Sequence, residues 1–473
     1  MPTKFQVIVI GGSIAGLTLA HCLDHAGIDY IILEKQKHSE AIPGAFITVA
    51  PNGARILDQL GLYDAVKTVS QPTRLAHVSY LDGSVLKQQW PIYVEQRCVE
   101  RYFLLLSGPD TFLCRLGYPF CTMTRQQLMY LLMTKLKDKS KVYLNKKVVS
   151  IHTEDSVISV STADGGKYYG DLVVGADGVH SITRSEMWRI ANIQRPGLIT
   201  GDMTNYRCVF GTSDPVPGII PGEQIMKCHD GLTIIIFGGK DGLIGWCAVQ
   251  RLDKTHRYPN IPRYLQADAV SLCERLTNLP IRNDLRFGNI WDRRKSVVMT
   301  ALEEGLLQTW NYGRIVCIGD SVNKTAPTMG QGANIAIESA AALANGLHGL
   351  LQTSPDQSPS DETIIRILDA LSHTVYLRFR TMSGFCQTGT RVLAREGIVY
   401  TFLGRYILLR SDHLIGLWLS KILAAGVTLE YLPPTIMRQS HTQGHNDRLY
   451  KNFSIFALFS VALLWITTKV FFT

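Results

Sequence analysis

The sequence predicts an α/β protein in which strands from distant parts of the chain assemble into one sheet. The N-terminus has the pattern of a buried strand over residues 5–10, a glycine turn over residues 11–16 and a helix from residue 17. Two further glycine-containing turns, beginning near residues 175 and 319, each follow a short apolar strand. Such turns place backbone N–H groups at the ends of parallel strands, so the three together predict one shared ligand site.

The first glycine turn has the composition of a dinucleotide-binding turn. A helix N-terminus offers unpaired N–H groups and the positive end of the helix dipole to a pyrophosphate. Gly11 and Gly16 fit the first and third positions of the usual fingerprint, and Ser13 occupies the middle position. Glu34, at the end of the next predicted strand, suits a ribose hydroxyl. A Rossmann-like unit is therefore predicted, with an ordinary turn that binds no ligand as the alternative.

Length and composition predict a globular protein of several domains. The chain has 473 residues, of which 46% are hydrophobic and 18% are charged. The net charge is +9 but the basic residues are dispersed, so we expect no nucleic-acid partner and favour anionic lipid or NADPH. None of the ten cysteines forms a C-x-x-C pair, which predicts buried thiols rather than a metal site or a disulfide framework.

Changes of pattern along the chain predict five segments. Residues 1–198 form the first part of the dinucleotide-binding domain, and residues 291–352 return to it. Between them, residues 199–290 are rich in strands and predict an antiparallel sheet that forms one wall of a substrate pocket. Residues 353–440 are mostly helical, and residues 453–472 predict a transmembrane helix.

The C-terminal segment has the length and the polarity of a membrane span. As a helix, residues 453–472 would cover about 30 Å, which is the hydrocarbon thickness of a bilayer. Arg438, Arg448 and Lys451 precede the span, so the positive-inside rule leaves the large domain in the cytosol. We therefore expect a single-pass membrane anchor at the endoplasmic reticulum, with a buried C-terminal helix as the alternative.

Four motifs together resemble those of a known enzyme family. They are Gly11-Gly12-Ser13-Ile14-Ala15-Gly16-Leu17, Pro51-Asn52-Gly53 followed by residues 57–61, Gly175-Ala176-Asp177-Gly178-Val179-His180-Ser181, and Pro327-Thr328-Met329-Gly330-Gln331-Gly332-Ala333-Asn334. Over most of residues 5–435 the chain is similar to the group A flavin monooxygenases, which share the fold of para-hydroxybenzoate hydroxylase. Within that group it resembles the fungal membrane-associated FAD-dependent monooxygenases of meroterpenoid and indole-diterpene biosynthesis.

The resemblance implies FAD as the cofactor and implies roles for individual residues. Glu34 would bind the adenosine ribose, Asp177 would support the pyrophosphate region and NADPH use, and Asp320 would bond the ribityl or pyrophosphate part. Arg125 would contact the cofactor, and a helix beginning near Gly332 would direct its positive end towards the flavin. The complete predicted cofactor site is Gly11, Gly12, Gly16, Glu34, Gly44, Thr48, Arg125, Asp177, Asp320, Gly332 and Ala333.

The resemblance also implies the chemistry. NADPH would reduce the flavin, dioxygen would form a flavin hydroperoxide, and an electrophilic oxygen atom would pass to a hydrophobic small molecule. We predict epoxidation of a prenyl chain on a meroterpenoid or an indole diterpene, without a metal. Tyr206 and Arg207 are the candidate catalytic residues, because they open the strand-rich region where relatives place residues that contact the substrate.

Two other functions stay open. The first is hydroxylation or oxidative dearomatisation of an aromatic polyketide, in which Arg207 would stabilise a phenolate and Tyr206 would donate a hydrogen bond. The second is a non-catalytic membrane flavoprotein that serves as a binding partner. A departure supports this second alternative, because the family usually has alanine-alanine-histidine where this chain has Ser321-Val322-Asn323.

Overall fold

The computed structural model describes residues 5–37, 45–80, 85–91, 117–154, 157–191, 203–258, 260–282, 284–353, 359–408 and 419–434. Its strands, numbered in chain order, are β1 (Gln6–Ile10), β2 (Asp29–Leu33), β3 (Phe46–Val49), β4 (Gln71–Pro72), β5 (Leu75–Tyr80), β6 (Val85–Pro91), β7 (Cys121–Thr124), β8 (Val142–Tyr143), β9 (Val148–Glu154), β10 (Val157–Thr162), β11 (Lys167–Gly170), β12 (Leu172–Gly175), β13 (Met203–Ser213), β14 (Glu223–His229), β15 (Leu232–Gly238), β16 (Ile244–Arg257), β17 (Pro280–Arg282), β18 (Leu285–Arg286), β19 (Arg294–Leu306), β20 (Asn311–Tyr312), β21 (Ile315–Cys317) and β22 (Asn323–Lys324). Its α-helices are α1 (Ile14–Ala26), α2 (Pro51–Gln59), α3 (Tyr63–Val69), α4 (Arg125–Thr134), α5 (Ile182–Ile190), α6 (Gln266–Leu276), α7 (Phe287–Trp291), α8 (Gly332–Thr353), α9 (Asp361–Leu393) and α10 (Gly397–Phe402).

A mostly parallel sheet carries the glycine turns. Its strand order is β20-β21-β12-β1-β2-β8, and every neighbouring pair except β20–β21 is parallel. After Gln6, β1 is apolar and buried, as expected for a strand with covered faces. The register pairs Ile10 with Leu33 in β2 and with Gly175 in β12, and Gly175 with Cys317 in β21. The three predicted turns therefore leave this sheet at the carboxyl ends of neighbouring parallel strands.

A second sheet contains the strand-rich region. Its order is β22-β19-β13-β16-β15-β14-β5-β6, with antiparallel neighbours except for the parallel pair β14–β5. β13 to β16 were expected here, but β5 and β6 come from earlier in the chain and β19 and β22 from later. Distant segments thus extend the sheet beyond residues 199–290, and the proposed domain boundaries stay a prediction.

The two faces of the eight-stranded sheet pack against different elements. One face, which we call the outer face, packs against α6 and α7. The opposite face, which we call the inner face, packs against residues at the end of α9. Successive residues of a strand point to opposite faces. Along β13, Val209 accordingly lies on the outer face, and Tyr206, Cys208 and Phe210 lie on the inner face.

A buried carboxylate joins three helices behind the glycine turns. Glu338 of α8 accepts hydrogen bonds from Asn52 Nδ2 in α2 at 2.6 Å and from Arg378 Nη2 in α9 at 2.8 Å. Burial alone would raise the pKa of Glu338, but Arg378 and Asn52 hold this pKa below its ordinary value. The ionised carboxylate therefore fixes the position of α8 relative to α2 and α9.

The predicted fold class needs one correction. All the elements named above lie in the first of two compact units, Met1–Pro433. We predicted a transmembrane helix at residues 453–472, which lie outside the described residues. In the ranges that the structure describes, no helix is both long enough and apolar enough to cross a membrane. The long helix α9 carries charges such as Arg366 and Arg378, and α8 contains Glu338. The single-pass anchor and the membrane localisation based on it are therefore not supported.

Candidate active site

The first glycine turn brings the start of α1 against the end of β12. Gly11 adopts a φ of 107°, and a Cβ atom at this position would lie 2.5 Å from the carbonyl oxygen of Ala176. A Cβ atom on Gly16 would overlap the carbonyl oxygen of Gly11. Only glycine fits either position, and the resulting tight turn keeps the N-terminal amides of α1 close to the neighbouring strand ends.

Two backbone amides hold the carboxylate of Glu34 beside this turn. The N–H of Gly12 donates to Oε2 at 2.7 Å, and the N–H of Gln36 donates to Oε1 at 2.8 Å. A carboxylate oxygen accepts more than one hydrogen bond, so both oxygens keep capacity for a hydroxyl group. The structure thus brings the predicted residues Gly12 and Glu34 together.

Arg125 reaches the same turn from the beginning of α4. The helix starts with a capping box, because the Thr124 hydroxyl accepts from the Gln127 N–H and the Gln127 side chain accepts from the Thr124 N–H. Arg125 is the first helical residue, and its Nη2 atom donates to the hydroxyl of Ser13 at 2.7 Å. A guanidinium group beside the N-terminus of α1 strengthens the attraction for a phosphate.

The second turn is built around Asp177, whose carboxylate accepts hydrogen bonds at the start of α5, where Ser181 is the N-cap residue. Oδ1 accepts from the Ser181 hydroxyl at 2.5 Å, and Oδ2 accepts from the N–H and the hydroxyl of Thr183 at 2.9 Å each. Arg184 then donates from Nη1 to the carbonyl of Ser321 at 2.7 Å. Asp177 therefore organises the loop and links it to the third turn through Arg184.

The departure from the family motif has a structural explanation. The Ser321 hydroxyl lies within hydrogen-bond distance of two carbonyl oxygens, that of Gly175 at 2.9 Å and that of Ile318 at 2.6 Å. The Asn323 side chain accepts from the Ser383 hydroxyl of α9 at 2.7 Å. Both side chains are buried and hold the third turn against its neighbours, so polar residues are accommodated at these positions.

Asp320 presents an acceptor group in the third turn. Its side chain is accessible to solvent, yet protein surrounds it on most sides. This partial removal from water raises the pKa of the carboxyl group, and the nearby charges of Arg125 and Lys324 oppose the rise. Within the described part of the chain, no hydrogen bond to this carboxylate is formed. The accessible carboxylate oxygens can therefore accept from a hydroxyl-bearing ligand.

Asn334 joins the third turn to the strand that contains Thr48. Its Nδ2 atom donates to the carbonyls of Thr48 and Gly330 at 2.8 Å each, and its Oδ1 atom accepts from the Ala50 N–H at 2.9 Å. A Cβ atom on Gly53 would overlap this Oδ1 atom. The sequence motif contained Asn334, but its role as a clamp was missed because all its partners are set by the fold.

An apolar wall adjoins these turns. Phe46, which precedes Thr48 in β3, stacks on Phe237 of the inner face with ring centroids 6.4 Å apart. Met329, at the third turn, packs against the same inner-face cluster, as does Phe210. These four side chains are half-buried. The inner face therefore lies next to the residues predicted to line the flavin.

The two candidate catalytic residues point in opposite directions. Tyr206 is fully buried on the inner face and donates a hydrogen bond from its hydroxyl to Glu396. Burial, reinforced by Glu396, raises the pKa of this phenol. Arg207 lies on the other side of β13, where Nη2 donates to Gln250 Oε1 at 2.7 Å and the guanidinium lies 5.9 Å from the ring centroid of Tyr264. The structure does not bring Tyr206 and Arg207 together.

The groups around the three turns fit a flavin dinucleotide. The amides of α1 and Arg125 suit a pyrophosphate, the carboxylates of Glu34 and Asp320 suit hydroxyl groups, and the apolar wall suits a flat ring. Gly332 and Ala333 begin α8 and are half-buried, whereas Gly44 lies outside the described residues. Over the ranges described, no cluster of three or more His, Cys, Asp or Glu side chains could hold a metal ion.

Comparisons with known proteins agree with this fit. The sequence profile of the FAD binding domain matches residues 4–204 and 290–359. The chain is 41% identical to FAD-dependent monooxygenase atmM of Aspergillus flavus, over 91% of this chain and 87% of that protein. It is 39% identical to FAD-dependent monooxygenase ctvC of Aspergillus terreus, over 99% of this chain and 98% of that protein.

Solved structures share the fold at low sequence identity. Klebsiella pneumoniae HpxO, complexed with FAD and uric acid, has a TM-score of 0.69 and 19% identity, with 90% of this chain and 98% of that chain covered. The p-nitrophenol 4-monooxygenase PnpA of Pseudomonas putida has a TM-score of 0.68 and 18% identity, with 89% and 99% covered. Taken with the matching profile and the curated relatives, the chain belongs to the FAD binding domain family and is an FAD-dependent monooxygenase.

Proposed function

We propose that this monooxygenase epoxidises a prenyl chain of a hydrophobic secondary metabolite, either a meroterpenoid or an indole diterpene, with NADPH and dioxygen. The observation that carries the proposal is the apolar wall formed by Phe46, Phe210, Phe237 and Met329 beside the third turn. Covering a prenyl chain with such a wall is worth about 25 cal/mol for each Å² of apolar surface removed from water.

The residues that would hold FAD divide by chemistry. The amides of the Gly11–Gly16 turn and the guanidinium of Arg125 would hold the pyrophosphate, and Glu34 would bind the adenosine ribose. Asp320 would accept from a ribityl hydroxyl, while Thr48, Gly332 and Ala333 would lie at the isoalloxazine ring. Asp177 would support the pyrophosphate region by fixing the loop. When bound, the flavin supplies the two-electron chemistry that activates dioxygen.

The side chains of the inner face would position the substrate and keep water away. Epoxidation of an alkene requires no removal of a proton from the substrate, so an apolar wall with correct geometry is sufficient. Exclusion of water limits the unproductive release of hydrogen peroxide. Tyr206 would have a structural role in this surface, because it is fully buried and its hydroxyl is already bonded to Glu396.

Charge supports NADPH as the electron donor. The chain has a net charge of +9, which attracts an anionic dinucleotide phosphate. We propose that NADPH binds only transiently, at the surface that leads to the flavin.

The placement of Arg207 favours epoxidation over the hydroxylation of a phenol. A phenol hydroxylase gains from a cation that stabilises the phenolate. Arg207 is the candidate for this role, yet it contacts Gln250 and Tyr264 on the outer face. The proposal therefore assigns Arg207 a structural role in the sheet.

Matched substrates test the proposed function. The FAD-loaded protein is incubated with NADPH, isotopically labelled dioxygen and either a prenylated indole or phenol or the same ring without its prenyl chain. We expect only the prenylated compound to gain one labelled oxygen atom, with its aromatic absorbance retained. Hydroxylation of the unprenylated ring, with the prenylated compound unchanged, would contradict the proposal and support the aromatic hydroxylase.

A further inference from the structure

Glu304 is a buried carboxylate that the functions described so far do not use. It lies near the end of β19 and is 2% exposed. Tyr206 pairs with Leu302 in the register of β13 and β19, so Glu304, two residues further along, shares the inner face with both. Neither carboxylate oxygen makes a hydrogen bond to a residue in the described ranges, and Arg391 Nη2 lies 3.5 Å from Oε2.

Two further polar side chains with unsatisfied buried atoms lie in β22 and directly after it. Gly305 pairs with Lys324 and Leu306 pairs with Asn323, so strand alternation places Asn323 on the face of Glu304, and Thr325 is the residue that follows β22. Asn323 Nδ2 and Thr325 Oγ1 are buried without a hydrogen bond among the described residues. Buried polar atoms normally have partners, and buried water is the usual partner when protein groups supply none.

This polar cluster extends to the start of α8. Thr325 Oγ1 lies 3.8 Å from the position that a Cβ atom on Gly332 would occupy. Gly332 is the first residue of α8, at the site proposed for the flavin ring. Thr325, which follows the strand paired with that of Glu304, is thus a polar group close to the place where oxygen chemistry would occur.

Burial favours the protonated form of Glu304, and the two charges nearest to it act in opposite directions. Burial raises the pKa of its carboxyl group, Arg391 lowers it and Glu396 raises it. Glu396 accepts from Tyr206 and lies 3.8 Å from Arg391 Nε, so it competes for the cation that would stabilise an ionised Glu304. Cys386 of α9 also faces Glu304, and its thiol has a raised pKa and stays uncharged.

We propose that Glu304 holds a proton in the resting enzyme and delivers it to the oxygenation site through Thr325 and buried water. This inference rests on the proposed function, because it assigns Glu304 a step of that reaction. In this role Glu304 stores a proton and passes it on through other groups, without contacting the substrate. Oxygen transfer itself depends on the cofactor.

The proton balance of the reaction provides the step. A monooxygenation driven by a hydride donor places one oxygen atom in the product and releases the other as water, whose hydrogens come from the hydride and from one proton. The O–H bond of the Glu304 carboxyl breaks, and an O–H bond of that water forms. Arg391 stabilises the resulting carboxylate. Solvent then returns a proton to Glu304 by way of Glu396, which lies beside the half-exposed Arg251.

Infrared spectroscopy tests the resting state without turnover. The FAD-loaded protein at neutral pH is compared with its Glu304→Gln and Glu303→Gln variants. Glu303 is the matched control, because it is the adjacent glutamate but pairs with Lys324 at 2.7 Å on the opposite face. We expect the carbonyl absorption of protonated carboxyl groups to lose one component in Glu304→Gln and to stay unchanged in Glu303→Gln. An absorption that loses no component in Glu304→Gln overturns the inference.

A pH profile tests delivery of the proton. Oxygenation of a prenylated substrate should slow at alkaline pH in the wild type and in Glu303→Gln, as the acid ionises. The oxygenation rate of Glu304→Gln should be about 100-fold lower at its optimum pH and should not decrease further at alkaline pH. A slower variant whose rate still decreases at alkaline pH contradicts the inference. If the wild type oxygenates no prenylated compound, the proposed function fails, and the infrared comparison alone still decides the protonation of Glu304.

Discussion

Arg125 Nη2 donates to the Ser13 hydroxyl at 2.7 Å, which joins the start of α4 to the residue that precedes α1. Ser13 occupies a position where the usual fingerprint has glycine. Its hydroxyl makes no capping bond with α1 and instead accepts from the guanidinium. The serine hydroxyl therefore holds a positive charge beside the N-terminus of α1, where a phosphate would bind.

We expect Arg125→Gln to weaken FAD binding about 10- to 100-fold, because a charge-assisted contact to the pyrophosphate is lost. Ser13→Ala should have a smaller effect and should add little to Arg125→Gln. The FAD affinity of each variant is measured by the quenching of flavin fluorescence during titration of the apoprotein. The control is Arg189→Gln, which removes a half-exposed arginine paired with Glu186. Equal losses of affinity in Arg125→Gln and Arg189→Gln would contradict the assignment.

Gly11→Ala should abolish stable FAD binding. The new Cβ atom would lie 2.5 Å from the carbonyl oxygen of Ala176, and the φ of 107° is strained for alanine. Gly27→Ala is the matched control, since Gly27 also has a positive φ, of 70°, but nothing lies within 4 Å of its Cβ position. We expect the control to lose about 1–2 kcal/mol of stability and to keep its flavin. The flavin content of each purified variant measures cofactor binding, and urea unfolding measures its stability.

The elements around the first turn were predictable because their signals are local. A strand was predicted over residues 5–10 and is found at Gln6–Ile10, and a helix was predicted from residue 17 and is found at Ile14–Ala26. Apolar runs and glycine turns are contained within a few residues of each element, so no knowledge of the rest of the fold is needed.

Long-range relationships escaped prediction for a physical reason. The clamp between Asn334 and Thr48 joins two segments that are far apart in the sequence and that only the fold brings together. The separation of Tyr206 from Arg207 could have been anticipated, because neighbouring residues of a strand face opposite sides. Which of the two lies on the inner face was set by the elements that pack there, and these come from other parts of the chain.

Glu304→Gln should make the stability of the protein less dependent on pH. Burial raises the pKa of the Glu304 carboxyl above its ordinary value of 4.5, although Arg391 opposes the shift. The folded state then binds the proton more tightly than the unfolded state, so stability falls as pH rises from about 4.5 to the raised pKa. Glutamine cannot ionise and removes this fall, whereas Glu303→Gln should retain it. Thermal unfolding across pH checks the prediction, and parallel profiles for wild type and Glu304→Gln would contradict it.

Phe237→Asn should uncouple NADPH consumption from oxygenation. The substitution places an amide in the apolar wall and removes the ring that stacks on Phe46 at 6.4 Å. We expect kcat/KM for a prenylated substrate to fall about 10-fold, equivalent to about 1.4 kcal/mol, and hydrogen peroxide release to rise as water enters. Tyr264→Asn makes a similar change on the outer face, beside Arg207, and should leave coupling unchanged. The measurement is the amount of product and of hydrogen peroxide formed for each NADPH oxidised. Equal uncoupling in Phe237→Asn and Tyr264→Asn would mean that the inner face is not the substrate surface.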